Sequence, residues 1–294
     1  MKNKGLLADL GLVLVALIWG WGYTATEYAI ASGMPSAMIL LMRFALAALT
    51  MGALCPQQMR TLTWKDWKYG SLSGAFLFLA FMTQLEGQSR TTPSNCAFIT
   101  ITNVLMVPFI VWAVSRKRPG LKNLLLPVLS VIGCMVLGYT EAGIVFKAGD
   151  LLVLAGAFLF ACHIASLEFT SKKVGAQKLT FIQMAVASVM ALAYVAITDS
   201  AVLTMDMLRD GALPVLYLGL FSTCGCFFLQ TWAQKHTSAT KAAIFLSLEG
   251  VFGSLFAVLL GLEALHWTLL VGGGLIFLSV LLTEVQLPKR AKTE

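Results

Sequence analysis

The sequence predicts an all-α integral membrane protein with about ten transmembrane helices, arranged as two inverted five-helix repeats. Three observations carry this. Hydrophobic residues make up 58% of the 294 and charged residues 12%, with a mean hydropathy of +0.82, which leaves too little polar surface to clothe a soluble globule. The stretch from Gln84 to Val114 returns from Gln230 to Leu260, matching Gln84 with Gln230, Gln88 with Gln234, Thr91 with Thr237 and Ala97 with Ala243 without a gap. Lys and Arg gather in alternate loops.

Breaks in hydrophobicity place first-half spans near residues 9–31, 37–55, 69–88, 95–114 and 123–140. The second half gives 150–171, 179–198, 212–232, 241–261 and 267–286. Each run is close to the ~20 residues that a bilayer requires. The first follows Lys2 and Lys4 and contains Ala29-Ile30-Ala31, but it is too long for a signal-peptide core and has a mate in the second half. That mate is DLLVLAGAFLFACHIASLEFTS from Asp150, which falls under DLGLVLVALIWGWGYTATEYAI from Asp9 and sets Glu27 on Glu168. The halves are therefore expected at residues 1–145 and 146–294. Pro35, Pro93, Pro127 and Pro214 are expected at or just before span starts, Pro56 and Pro288 after span ends and Pro119 in a loop. Pro108 is interior and is expected to kink the fourth span.

An odd number of spans per half makes the second half enter the bilayer from the opposite face. Such inverted repeats place a binding site near the midplane, between halves that rock against each other. With the N-terminus inside, cytoplasmic segments hold Lys65, Arg116, Lys117, Arg118, Lys172, Lys173, Lys235 and the C-terminal Lys289 and Arg290, and the outside receives Arg90, Lys147 and Arg209. This bias predicts a multi-pass cell-membrane protein with both termini cytoplasmic. It also accounts for the net charge of +7, so no nucleic-acid partner is expected. The six cysteines lie in or at the ends of apolar runs, and Cys224-Gly-Cys226 lacks metal-ligand spacing. No cofactor and no metal are expected; the expected partners are the lipid bilayer and a small-molecule substrate, with a monomer and a homodimer both open.

The segments ALIWGWGYTATEYAI, MRFALAAL, TTPSNCAFITITNVLMVPFI, GDLLVLAGAFLFACHIASLEF and FLQTWAQKHTSATKAAIFLSLEGVFGSLFAVLLGLEAL resemble the EamA branch of the drug/metabolite transporter (DMT) superfamily, over nearly the whole chain. The resemblance implies two five-helix repeats, a bacterial inner membrane and movement of small metabolites, often export of amino acids or related compounds. The chain departs from the family pattern at Arg116-Lys117-Arg118, at Gly250 and at Gly261-Leu262-Glu263.

A charged group inside a span costs roughly 3 kcal/mol on insertion scales, so each calls for a partner or a task. Glu249 falls near the middle of the ninth span with Asn103 as its repeat mate; ionised, such a carboxylate can bind a substrate amine, protonated it is expected to donate to Asn103 across the repeat interface, and the plainer reading is a structural bond between helices. His163, in the sixth span, either relays that proton or bridges helices. Glu27 and Arg43 lie at similar depths in adjacent spans, as an outer ionic gate or as separate groups reaching water and headgroups. Glu168 would belong to the inner gate, with a helix-surface pair to Lys172 as the plainer reading. Gln183 and Met184 replace Arg43 in the second half, so the outer gate is expected to be ionic and the inner one not. Trp19, Tyr23 and Glu27 share one helical stripe, opposite Trp21, with Trp19 expected either to line a central cavity or to pack on lipid or a neighbouring helix, and Gln84 and Gln230 are neutral groups suited to orienting a substrate or bonding helices. Gly70 and Gly74 read as close packing.

No HExxH, no GxSxG and no pair of mid-span aspartates is present, so an intramembrane enzyme is not expected. Transport by proton antiport, gradient-driven facilitation, and a receptor or assembly role without transport remain as readings. The charge asymmetry makes a direct prediction: Lys173→Cys is shielded from an impermeant thiol reagent in intact cells and labelled after permeabilisation. Labelling from outside would overturn the inverted topology.

Overall fold

The computed structural model describes residues 2–91, 93–139, 147–198, 202–261 and 264–285. Among them there are helices and turns and no strand. The first half contains α1 (Lys2–Ala31), α2 (Ser36–Leu54), the short α3 (Pro56–Arg60), α4 (Trp64–Gln88), α5 (Pro93–Ile101), α6 (Asn103–Ser115) and α7 (Lys122–Leu137). The second contains α8 (Ala148–Thr170), α9 (Ala176–Ile197), α10 (Met205–Tyr217), a π-helical segment (Leu218–Gly225), α11 (Cys226–Gln234), α12 (Ala239–Leu246), α13 (Leu248–Leu259) and α14 (Trp267–Glu284). Taking α5–α6, α10–π–α11 and α12–α13 as interrupted rods, the described residues make ten passes, five in each half. Eight passes are long and apolar enough to cross a membrane, and α7 is a shorter apolar helix. The remaining pass, α4, has the length at 25 residues. The boundary expected near residue 145, the Leu262-Glu263 position and Pro288 lie outside the described residues.

The helices form because lipid offers no partner to a backbone amide, so each pass must satisfy its own. Lipid-facing stretches are apolar on both faces: on α1, Leu10, Leu14 and Leu17 are exposed while Leu12, Val15 and Ala16 are buried. Ends are set by side chains. Thr63 and Asp66 form a capping box at α4, with Thr63 N donating to Asp66 Oδ2 at 2.9 Å, and Ser238 caps α12 by accepting from Lys241 N at 3.3 Å.

Contacts between passes show the two-fold relation of the halves. α4 packs on α8 as α10 and α11 pack on α1; α1 packs on α13 as α8 packs on α6; α2 packs on α9 and α7 on α14. Exchanging the halves maps this set onto itself. Gly70 and Gly74 let α4 approach Ile182 and Gln183 of α9.

Two prolines differ from expectation. Pro127 and Pro214 sit inside α7 and α10 rather than at span starts; for Pro214 the reason is that α10 begins at Met205, seven residues before the apolar run. Its first turns carry Asp206, Arg209 and Asp210, which hydropathy counts as loop although they are helical. The interruption of the fourth span falls at Thr102, well over one turn before the interior Pro108.

The α7–α14 crossing depends on a pair of facing glycines. A Cβ on Gly272 would sit 2.6 Å from Leu137 N, and one on Gly133 would sit 2.8 Å from Gly272 O. Gly272→Leu should therefore lower the melting temperature in detergent, by about 1–3 kcal/mol of stability. Gly274→Ala, whose Cβ would meet nothing within 4 Å, is the control expected to leave it unchanged.

Candidate functional site

Where the halves meet, the bundle holds a cavity of about 90 Å³. From the first half, α1 contributes Trp19, Tyr23 and Thr26, α2 Arg43, α4 Phe81, Gln84 and Gln88, and the fourth pass Thr100 and Asn103. From the second come Phe160 and His163 of α8, Ser222 of the π segment, Phe227 and Gln230 of α11, and Ser247 and Glu249 of the ninth pass. The cavity extends to Thr26 and Gln88, near the end of the bundle where α1 stops and α2 starts. Toward the other end it stops at Gln230, beyond which Gln234 Nε2 donates to Ile164 O at 2.9 Å.

Three interrupted passes shape this space. Thr102 Oγ1 donates back to Ile99 O at 2.6 Å, and Ser247 Oγ to Ile244 O at 2.7 Å. The backbone tightens at both places, with Leu105 N bonded to Thr102 O and Gly250 N to Ser247 O. A hydroxyl that bonds to a preceding carbonyl bends a helix at modest cost. Asn103 and Glu249 follow these bends directly, on the cavity wall. In the eighth pass the π turn presents Ser222 O to the Trp19 indole, with Nε1 at 2.8 Å, and Thr223 Oγ1 to Arg43 Nε at 2.9 Å. Single π turns recur where a helix must offer backbone groups to something other than itself.

The site residues read from the sequence are distributed as follows. Trp19, Tyr23, Gln84, Asn103, Gln230, Glu249, His163 and Arg43 border the cavity, and Glu27 and Glu168 do not. Trp21 packs edge-on to Phe256, with ring centroids 5.5 Å apart. Gln84 Nε2 donates to Thr100 Oγ1 at 3.0 Å, and Gln230 Nε2 to Gln234 Oε1 at 3.2 Å, while Gln230 Oε1 is buried without a partner. His163 Nε2 and Gln183 Oε1 are 2.7 Å apart, joining α8 to α9, and the ring stands edge-on to Phe227.

Several expected contacts are not made. Glu249 is not bonded to Asn103; its Oε1 accepts from Tyr23 OH at 3.2 Å, which joins α13 to α1 across the halves. Glu27 and Arg43 form no ion pair. Glu27 accepts from Gln88 Nε2 at 2.6 Å, and Arg43 bends inward to Thr223 with its guanidinium 4.2 Å from the Phe81 ring centroid. Nor does Arg43 reach out to headgroups, being 5% exposed. Glu168 pairs with Lys172 at 3.8 Å and also accepts from Ala239 N at 2.9 Å, holding the start of α12.

Among the described residues two ion pairs that join the halves lie at one end of the bundle. At the end holding the N-terminus of α1, Lys241 Nζ lies 2.9 Å from Asp9 Oδ1 and also pairs with Glu284. Lys178 Nζ lies 3.2 Å from Asp66 Oδ2. Both lysines join second-half helices to first-half carboxylates. At the opposite end Glu86, in the last turn of α4, pairs with Arg90 just past the end of that helix. Sequence reading did not find the Asp9–Lys241 pair, the π turn or the aromatic lining of Phe81, Phe160 and Phe227. Its one usable signal was the match of Gln88 with Gln234, both of which bond across the bundle.

The sequence matches the EamA-like transporter family twice, over residues 6–139 and 147–285. It belongs to that family. The EamA-like family is part of the DMT superfamily, and this member is a multi-pass membrane transporter. An uncharacterized transporter from Archaeoglobus fulgidus is 32% identical to it over 284 residues, spanning 96% of this chain and 87% of that one. A crystal structure 16% identical in sequence superposes on this EamA-like chain with a TM-score of 0.79, covering 94% of it and 96% of the other; that likeness concerns the fold. The cavity thus lies between the two family repeats of a transporter.

The His163–Gln183 contact makes His163 a helix bridge. His163→Ala, which strands the buried Gln183 carbonyl, should cost about 1–3 kcal/mol and lower the melting temperature. His163→Gln, which can still donate, should recover most of the loss. An unchanged melting temperature in His163→Ala would refute the bridge.

Proposed function

We propose that the protein exports a small metabolite, an amino acid or a related compound, across the cell membrane by exchange for a proton at Glu249, with both termini cytoplasmic. The observation that carries this reading is the place of Glu249. It stands on the cavity wall, immediately after a helix bend, at the contact between the repeats, and accepts a hydrogen bond from Tyr23 of the opposite half. Discontinuous helices at a repeat interface are where transporters of inverted-repeat design hold substrate and coupling ion.

Ionised, the carboxylate attracts a substrate amine; protonated, it loses that attraction. Proton and substrate therefore compete for one site, which is the requirement for antiport. Tyr23 fixes the orientation of the carboxylate in either state. Trp19 and Phe227, with ring centroids 5.2 Å apart, give apolar contact to the rest of the solute. Gln84 and Gln230 supply neutral hydrogen bonds, the unpartnered Gln230 Oε1 being an acceptor for a substrate N–H or O–H. Rocking of one half against the other requires breaking Tyr23–Glu249 and Trp19–Ser222 on the cavity wall and Lys241–Asp9 at the closed end, all of which cross between the halves.

The expected result is measurable in proteoliposomes loaded with labelled amino acids. An imposed gradient with the outside acidic accelerates wild-type efflux, because protons enter as solute leaves. Glu249→Gln cannot release a proton, so its efflux ignores the gradient. Equal pH response in both proteins would remove Glu249 as the coupling group, and wild-type flux that follows the solute gradient alone would make the protein a facilitator.

A further inference from the structure

Among the described residues Arg43 has no counter-charge. It lies about 10 Å along α2 from the start of that helix and is 5% exposed. No carboxylate stands within ion-pair distance of it among the described residues; Glu27 is bonded to Gln88 and Glu249 to Tyr23. Its Nε is committed to Thr223 Oγ1, and one face of the guanidinium lies against Phe81. Those two contacts fix the plane of the group. Its Nη1 and Nη2 donate to no described protein atom, and the side chain borders the cavity. A buried cation held in one orientation, with its forked donors free beside an empty space, is arranged for an anion.

The rest of the wall narrows the choice of anion. Among the described residues lining the cavity, Arg43 is the one Lys or Arg and Glu249 the one Asp or Glu. A phosphate dianion would face one cation and a nearby carboxylate, leaving negative charge uncompensated in a low-dielectric space. A monocarboxylate bearing an amine neutralises both poles.

We infer that Arg43 is the subsite for the carboxylate of the transported solute, gripping it through both η nitrogens while Thr223 and Phe81 hold the guanidinium. This rests on the reading of the cavity as a transport site, and it assigns Arg43 to recognition rather than to a gate. Solutes that keep the amine and lose the carboxylate are then poor ligands.

Binding separates this assignment from the transport reading. The twenty common amino acids are screened by thermal shift against the purified protein in detergent. Each that stabilises it is compared with its methyl ester and its decarboxylated amine. The acid should bind about 10- to 100-fold more tightly than either. Arg43→Gln, which can still bond Thr223, should keep the ligand-free melting temperature and lose that preference, binding acid and ester alike; Arg43→Lys should keep part of it. Wild-type protein that binds the ester as tightly as the acid, or Arg43→Gln that retains the acid preference, would overturn the Arg43 assignment and leave the transport reading intact. If no amino acid, ester or amine shifts the wild-type protein, both fall together.

Discussion

A polar group inside a bilayer has no water to turn to, and each departure from regular helix in this protein is governed by that constraint. Ten passes could satisfy every amide by remaining straight rods, but straight rods present only side chains to a cavity. The chain departs from regularity in the fourth, eighth and ninth passes, and at each place another group completes the hydrogen bonding. Thr102 and Ser247 do so with their own hydroxyls. In the π turn the Trp19 indole of the other half does so at Ser222 O, and the Arg43 guanidinium bonds the Thr223 hydroxyl beside it. The site is built where backbone regularity is given up, and its side chains double as the repair.

The same constraint sorts the charges. Asp9, Asp66, Lys178 and Lys241 pair near helix ends, where water is close, and exposed pairs such as Glu168–Lys172 contribute little. Deeper in, Glu249 has a tyrosine and Arg43 a threonine and an aromatic face. Neutral partners hold the position of a charge without cancelling it. Pairing Glu27 with Arg43 would have cancelled both charges, whereas each is bonded to a neutral side chain.

Much of the fold was legible because apolar run length and helix length coincide in lipid. The spans expected near residues 37–55 and 150–171 appear as Ser36–Leu54 and Ala148–Thr170. Where helix and lipid part company, hydropathy follows the lipid, which is why α10 starts earlier than its apolar run. The gap-free match of Gln84 and Gln230 revealed the repeat, and with it the pairing of Asn103 and Glu249, both of which line the cavity. Depth alone does not give azimuth. Arg43 turns toward Thr223 rather than Glu27, and Glu249 toward Tyr23 rather than Asn103, through rotations and tilts that emerge only when all the passes are packed.

The two repeats differ in one respect that bears on how the chain tolerates change in length. α4 is an unbroken α-helix, whereas its mate in the second half contains the π turn from Leu218 to Gly225. A π turn accommodates one extra residue without disturbing the helix on either side. Removing a residue there closes the turn into regular helix and leaves Phe227 and Gln230 facing where they did; removing one from the middle of α4 swings everything beyond it by about 100°. Single-residue gaps between relatives of this chain are therefore geometrically cheap in the eighth pass and disruptive in the third.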